Sequence, residues 1–188
     1  GSIADLNPQR SETTQNFQTW PAANIGTSNT NPSFDIYEDN NAVPASTDYY
    51  YRFRRLDDCG EEHFTDTVKT IHLKAELGFG LIPTLEWSPF ELPNGTVTEY
   101  TIIKYLNGDS TFLTTVNGDE LEYTELSPVN TNSLDTICYQ IIATTQLDIP
   151  SLVNTTIYSN SNISCLKPTP AVFVPTAFKP PGHNTIFS

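Results

Sequence analysis

The sequence predicts an all-β protein, on three observations. Polar residues are mostly Thr, Asn and Ser, charged residues make up only 16%, aromatics reach 11% and Met is absent, a balance that suits pleated strands better than charged amphipathic helices. Apolar residues alternate with a period of two over short stretches, and turn signals such as Asn-Gly-Asp separate those stretches. Nine Lys and Arg stand against 22 Asp and Glu, a net charge of −13, which argues against nucleic acid or an anionic membrane face as partner. No apolar run approaches the roughly 18 residues that span a bilayer, so a soluble chain without membrane insertion is expected. Gly1-Ser2 has the look of an expression-tag scar and is left out of the fold reasoning, and the natural chain is expected to extend upstream.

Taken in order, the opening is rich in Asn, Thr and Pro and shows no early Trp-bearing strand. Tyr49 to Leu56 then alternates, Asp57-Asp58-Cys59-Gly60 turns, and Thr67 to Leu73 is expected to pair back. Leu81 to Trp87 puts Leu85 and Trp87 on one side of a strand. Val97 to Leu106 places Tyr100 and Ile102 on one face, and Thr101, Ile103 and Tyr105 on the other. Asn107-Gly108-Asp109 is a strong hairpin turn leading into Ser110 to Val116. Asn117-Gly118-Asp119 turns again, and Leu121 to Leu126 alternates. Thr136 to Thr144 is the most strand-prone stretch, with Tyr139, Ile141 and Ala143 assigned to the core; Ile157 to Cys165 closes the series. Six or seven strands in this span suit a β-sandwich. The division expected is one module over 1–75, a second over 76–168, and an extended tail over 169–188. In that tail Pro168, Pro170, Pro175, Pro180 and Pro181 remove backbone donors, while Val172 to Phe178 could pair along a sheet edge; a disordered end is the alternative.

Three cysteines make an odd set. Cys138 and Cys165 lie on strands that neighbouring positions could bring together, so one disulfide and one leftover thiol, Cys59, is the natural count. Closing that loop would add about 3 kcal/mol. Reduced cysteines packed as small hydrophobes are the alternative.

Two phrases carry a family resemblance. Tyr51-Arg52-Phe53-Arg54-Arg55-Leu56-Asp57-Asp58-Cys59-Gly60 leads to Lys69-Thr70-Ile71-His72-Leu73, and Cys138-Tyr139-Gln140-Ile141-Ile142-Ala143 leads to Ser159-Asn160-Ser161-Asn162-Ile163-Ser164-Cys165. Both resemble the last two strands of fibronectin type III-like modules, of the kind that precede the C-terminal (type B) sorting domain of gliding-motility-associated surface proteins exported by the type IX secretion system. In that family the chain next enters a phrase of the form F-V-P-N-A-F-T-P-N-G-D-G-x-N-D-x-F. Here it is similar at Phe173, Val174, Pro175, Ala177, Phe178, Pro180, Gly182, Asn184 and Phe187, but departs in spacing and lacks both aspartates. A cation role for that acidic phrase loses its ligands with them. The resemblance implies a fold of two tandem fibronectin type III or immunoglobulin-like sandwiches, and a partner in the type IX machinery or a surface attachment protein. It implies an extracellular location on the bacterial cell surface, with surface glycans as a further candidate partner. Ser188 would fall early in the sorting domain, leaving this chain without a complete export signal.

Asp66-Thr67-Val68, Asp109-Ser110-Thr111 and Asp135-Thr136-Ile137 resemble the O-glycan acceptor of exported proteins from the same bacteria, which implies Thr67, Ser110 and Thr136 as candidate sites. Bulky glycans need exposure, which favours Ser110 beside its turn. No metal is expected: His63, His72 and Cys59 lack paired-ligand spacing, and Asn107-Gly108-Asp109 and Asn117-Gly118-Asp119 do not continue into a calcium loop. Asp57-Asp58 and Glu61-Glu62 form a solvated acidic tip. No catalytic set is legible around the three histidines and no phosphate loop occurs, so neither an enzyme nor a cofactor is expected. Trp20, Tyr37, Tyr49 and Tyr50 are candidates for an aromatic sugar platform. The function expected is non-catalytic: structural and adhesive modules of an exported surface protein. The alternative is an accessory or carbohydrate-binding module of a secreted polysaccharide-degrading enzyme.

Overall fold

The structure, a computed structural model, describes residues 7–19, 23–27, 35–129, 136–150 and 155–167, with 23–27 and 35–37 given by backbone alone. Among these the chain is all-β, with antiparallel sheets and a short 3-10 turn at Phe79–Leu81. The tail assigned to 169–188 lies outside the described residues.

The first sheet is built from β1 (Asn7–Ser11), β2 (Gln18–Thr19), β5 (Tyr50–Leu56), β6 (Glu62–Phe64) and β7 (Val68–Lys69), in the order β2-β1-β5-β6 with β7 also on β5. β3 (Ala23–Thr27) and β4 (Asp35–Glu38) form a separate ribbon. The single return strand expected over Thr67 to Leu73 is instead broken. Glu62–Phe64 pairs with Leu56 to Arg54, Val68–Lys69 pairs with Tyr51 and Tyr50, and Leu73 belongs to another sheet. The cause is local: Thr65 turns its hydroxyl onto the Phe53 amide at 2.9 Å and so takes the place of a ladder partner.

Residues from Ile71 onward make the larger unit. One sheet runs β12 (Glu122–Thr124), β9 (Pro83–Trp87), β8 (Leu73–Leu77). The other runs β11 (Asp109–Asn117), β10 (Gly95–Leu106), β13 (Ile137–Leu147), β14 (Thr156–Asn160), with β15 (Ser164–Leu166) also on β13. The boundary drawn between 75 and 76 therefore falls inside β8.

The period-two pattern explains this arrangement. β13 alternates buried and half-buried positions along its length, presenting Tyr139, Ile141 and Ala143 inward at 0% exposure. Tyr100 and Ile102 of β10 and Leu85 of β9 are equally closed, and with Leu73, Trp87, Phe90, Ile137 and Leu166 they join both sheets in one core. The Trp87 and Tyr100 rings meet edge to face across it at 5.6 Å, a geometry worth about 1 kcal/mol beyond area burial. The unit is sandwich-like, and every strand face assigned to its core from the sequence is buried.

Two turns fix the registers. Asn107 and Gly108 both take positive φ, 54° and 93°, so β10 returns as β11 through a two-residue loop whose twist matches the strands. Gly118 serves a different purpose. A bulge at Val97 to Glu99 interrupts the β10–β13 ladder, the Gly118 amide bonds the freed Thr98 carbonyl at 3.1 Å, and a Cβ at 118 would lie 2.0 Å from the Val97 oxygen.

Candidate functional sites

The most constrained chemistry is the closure of the last strands. Cys138 and Cys165 stand directly opposite in the β13–β15 register with Cα atoms 4.0 Å apart, and their sulfurs are bonded. After β14, Ser161 meets Ile141 twice, donating its amide to the Ile141 carbonyl at 2.8 Å and accepting from the Ile141 amide through Oγ at 2.9 Å, before the chain leaves the β13 ladder at residues 162–163. Asn162 and Ser164 then turn toward the opposite sheet. Asn162 Oδ1 accepts from the Leu73 amide at 2.7 Å, its Nδ2 donates to the Leu73 carbonyl at 2.9 Å, and Ser164 Oγ accepts from the Ala75 amide at 3.0 Å. Three backbone groups that β8 would expose at the edge of its sheet, the Leu73 amide and carbonyl and the Ala75 amide, are thus satisfied. Reading the sequence for strands alone missed this, because Asn162 and Ser164 occupy what looked like one continuous final strand.

At the other face of β13 a charge is buried. Glu125, 7% exposed, accepts from Lys104 Nζ at 2.7 Å through one oxygen and from the Tyr139 hydroxyl at 2.7 Å through the other. Burial, reinforced by the Glu125 hydrogen bond, pushes the Tyr139 phenol far above its usual range. This is a satisfied structural triad: the carboxylate has both partners and the phenol is wholly enclosed.

The Asp57 turn gathers a different group. Asp57 Oδ1 accepts from the amides of Cys59 and Glu61, both at 2.9 Å, and Oδ2 lies 3.0 Å from His63 Nε2; Gly60 supplies the positive φ of 83°. The His63 hydrogen bond and then the Glu61 amide hold the Asp57 carboxyl below the usual carboxylate range. Asp57, Glu61 and His63 bring three potential ligand atoms within 4.8 Å of one another, on an open turn where His63 is 58% exposed. The sequence reading had grouped His63 with His72 and Cys59. The structure takes His72 out of that group, placing it between β7 and β8 with Nε2 3.3 Å from the Ala45 carbonyl, while Cys59, an exposed free thiol, stays in the Asp57 turn with His63. The alternation of Asp57, Glu61 and His63 around a glycine turn was the signal available for that grouping.

The remaining candidates are dispersed. Ser110 is exposed on β11, Thr136 is exposed just before β13, and Thr67 is half-buried beside the shallow groove that Phe90 and Glu91 line. Tyr49 cannot serve a sugar platform: it is 3% exposed, with Arg10 stacked 4.9 Å from its ring centre and its hydroxyl accepting from the Val43 amide. Tyr50 is half-buried near Lys69, while Trp20 and the Tyr37 side chain lie outside the described residues. So do the motif-like Phe173, Pro175, Ala177, Phe178, Pro180, Gly182, Asn184 and Phe187.

The two units are fastened where they meet. The Lys69 amide donates to the Glu91 carbonyl at 2.9 Å, and its ammonium, 10% exposed, lies 3.4 Å from the Glu91 and 3.6 Å from the Asp48 carboxylates. Ser88 Oγ donates to Asp48 and accepts from the His72 amide at 2.9 Å. In comparison with known proteins, no family model matches the chain and no curated protein matches it.

Proposed function

We propose that the chain is a non-catalytic, load-bearing part of an exported bacterial surface protein, composed of fibronectin type III-like modules that space and stiffen the stretch ahead of a type IX sorting domain. One observation carries the reading. The larger unit sets a three-stranded sheet, β12-β9-β8, against β11-β10-β13-β14 with β15, an order that supports a fibronectin type III-like reading, and its last strand, β15, is pinned to β13 by a disulfide. A bridge of that kind persists in an oxidising, extracellular setting. A buried core closed at both sheets and a strongly acidic surface suit a spacer that must stay folded and unaggregated under tension. Ser110, exposed at the β10–β11 hairpin, is the acceptor position best placed for an O-glycan.

Two measurements test this. Protease shaving of intact host cells should release peptides of this chain, and peptides recovered only after lysis would refute the surface location. The purified chain should be silent on a glycan array; saturable sugar binding would favour the accessory module of a polysaccharide-degrading enzyme instead.

A further inference from the structure

β8 and β15 run side by side in parallel, yet share no backbone ladder. Successive links join Leu73 to Asn162 and Ala75 to Ser164, all through side chains of the β15 segment. The chain enters the larger unit at the start of β8 and the described residues end one position past β15, so tension along the chain draws these two strands in opposite directions. Parallel neighbours drawn apart that way are loaded in shear, with their cross-links strained together.

The bridge decides where yielding begins. Because Cys165 is bonded to Cys138, β15 cannot peel from β13 at its trailing end, and load arriving there passes into the central strand of its sheet. On the leading side, load that passes the Lys69 and His72 bonds to Glu91 and Ser88 comes next to β8, an outer strand of a three-stranded sheet held by its ladder to β9 and by the Asn162 and Ser164 links. β8 is therefore the element that must leave first.

We propose that the Asn162–Ser164 stitch is the mechanical latch of the larger unit, with Asn162, which supplies both a donor and an acceptor to Leu73, as the residue that sets its lifetime under load. The proposal rests on the load-bearing reading for its purpose, while the latch itself is a property of the fold. Neither side chain belongs to the apolar core, so the latch can be weakened with the core intact.

The test is constant-force pulling of the full, oxidised chain tethered at its two termini. Asn162→Ala should shorten the folded lifetime of the larger unit by on the order of tenfold, from two hydrogen bonds of ordinary net strength, and Ser164→Ala by a smaller factor. Tyr105→Phe is the control: it removes the 2.7 Å bond to Gln140, between β10 and β13, and leaves the Asn162 and Ser164 links to β8 in place. Equilibrium unfolding in urea gives each variant's loss of stability, so a lifetime change in Asn162→Ala beyond the one expected from that loss supports the latch. A change equal to that of Tyr105→Phe at matched stability overturns it. Sugar binding on the array would sink the stalk reading and leave this result untouched.

Discussion

Replacing Glu125 with Ala removes the hydrogen-bond partner of the Tyr139 hydroxyl and the carboxylate that neutralises Lys104. Tyr139 has no exposed surface, so its hydroxyl cannot turn to solvent; Lys104, with a side chain 24% exposed, regains part of its hydration. A fully buried pair broken on one side costs about 3–5 kcal/mol. The partial access of Lys104 places this case at the lower end, about 3 kcal/mol. For a unit of this size that corresponds to a fall in melting temperature of roughly 15 °C, or a drop of 1 M or more in the urea midpoint, on the order set by usual m-values. Glu125→Gln keeps the shape and one acceptor, and should lose about half as much. Lys104→Met with Glu125→Gln removes the buried charge altogether and should recover part of the loss. The assay is urea unfolding followed by near-ultraviolet circular dichroism, which reports the packed tyrosines. A loss under 1 kcal/mol in Glu125→Ala, judged against the usual cost of an orphaned buried group, would mean that the triad contributes nothing and that water reaches the site.

Other perturbations separate covalent, steric and ionisation effects. Cys138→Ser with Cys165→Ser should cost about 3 kcal/mol in urea, and in pulling experiments should lengthen the unfolding step by roughly 90 Å, the contour of the 27-residue loop that the bridge withholds. Steps of equal length would show that the bridge is absent from the chain in solution. Gly118→Ala sets a methyl against the Val97 carbonyl and should destabilise by about 2 kcal/mol or more, seen as a lower thermal midpoint; a neutral result would mean the bulge relaxes freely. Burial raises the phenols of Tyr139 and Tyr100 in the fold, so the sign is fixed: their stabilisation is whole below the ordinary tyrosine pKa of about 10 and is lost as pH rises beyond it. Unfolding midpoints should hold from pH 8 to 9 and fall above 10, and a midpoint that rises there would contradict the assigned burial.

Much of the larger unit was legible in its residues. β13 carries a long alternation and β10 a shorter one around Tyr100 and Ile102, whose inward faces fix the register, and Asn107-Gly108 admits the turn that joins β10 to β11. The pairing of Cys138 with Cys165 followed from count and separation. What could not be read depends on side chains acting in place of backbone. Thr65 breaks the return of β5, and Asn162 and Ser164 leave one sheet to serve another; both are polar residues in runs where strand propensity alone suggests continuity. The first unit is obscure for a further reason. Its strands bury Gln9, Ser11 and Lys69 rather than an apolar stripe, and Arg52 lies between the Phe17 and Phe64 rings, so hydrophobic periodicity has little to report there.

The fastening around Lys69 bears on how the protein can be divided. Only residues 70–72 separate β7 from β8, and a cut there would strip Glu91 and Ser88 of partners that reach them from upstream, orphaning the Glu91 carbonyl and parting Asp48 from Ser88 while leaving it Lys69. Either half made alone would begin or end on an unmet polar edge. The joint behaves less like a tether than like a mortise, and the smallest piece that keeps the behaviour of the whole includes the strands on both sides of it.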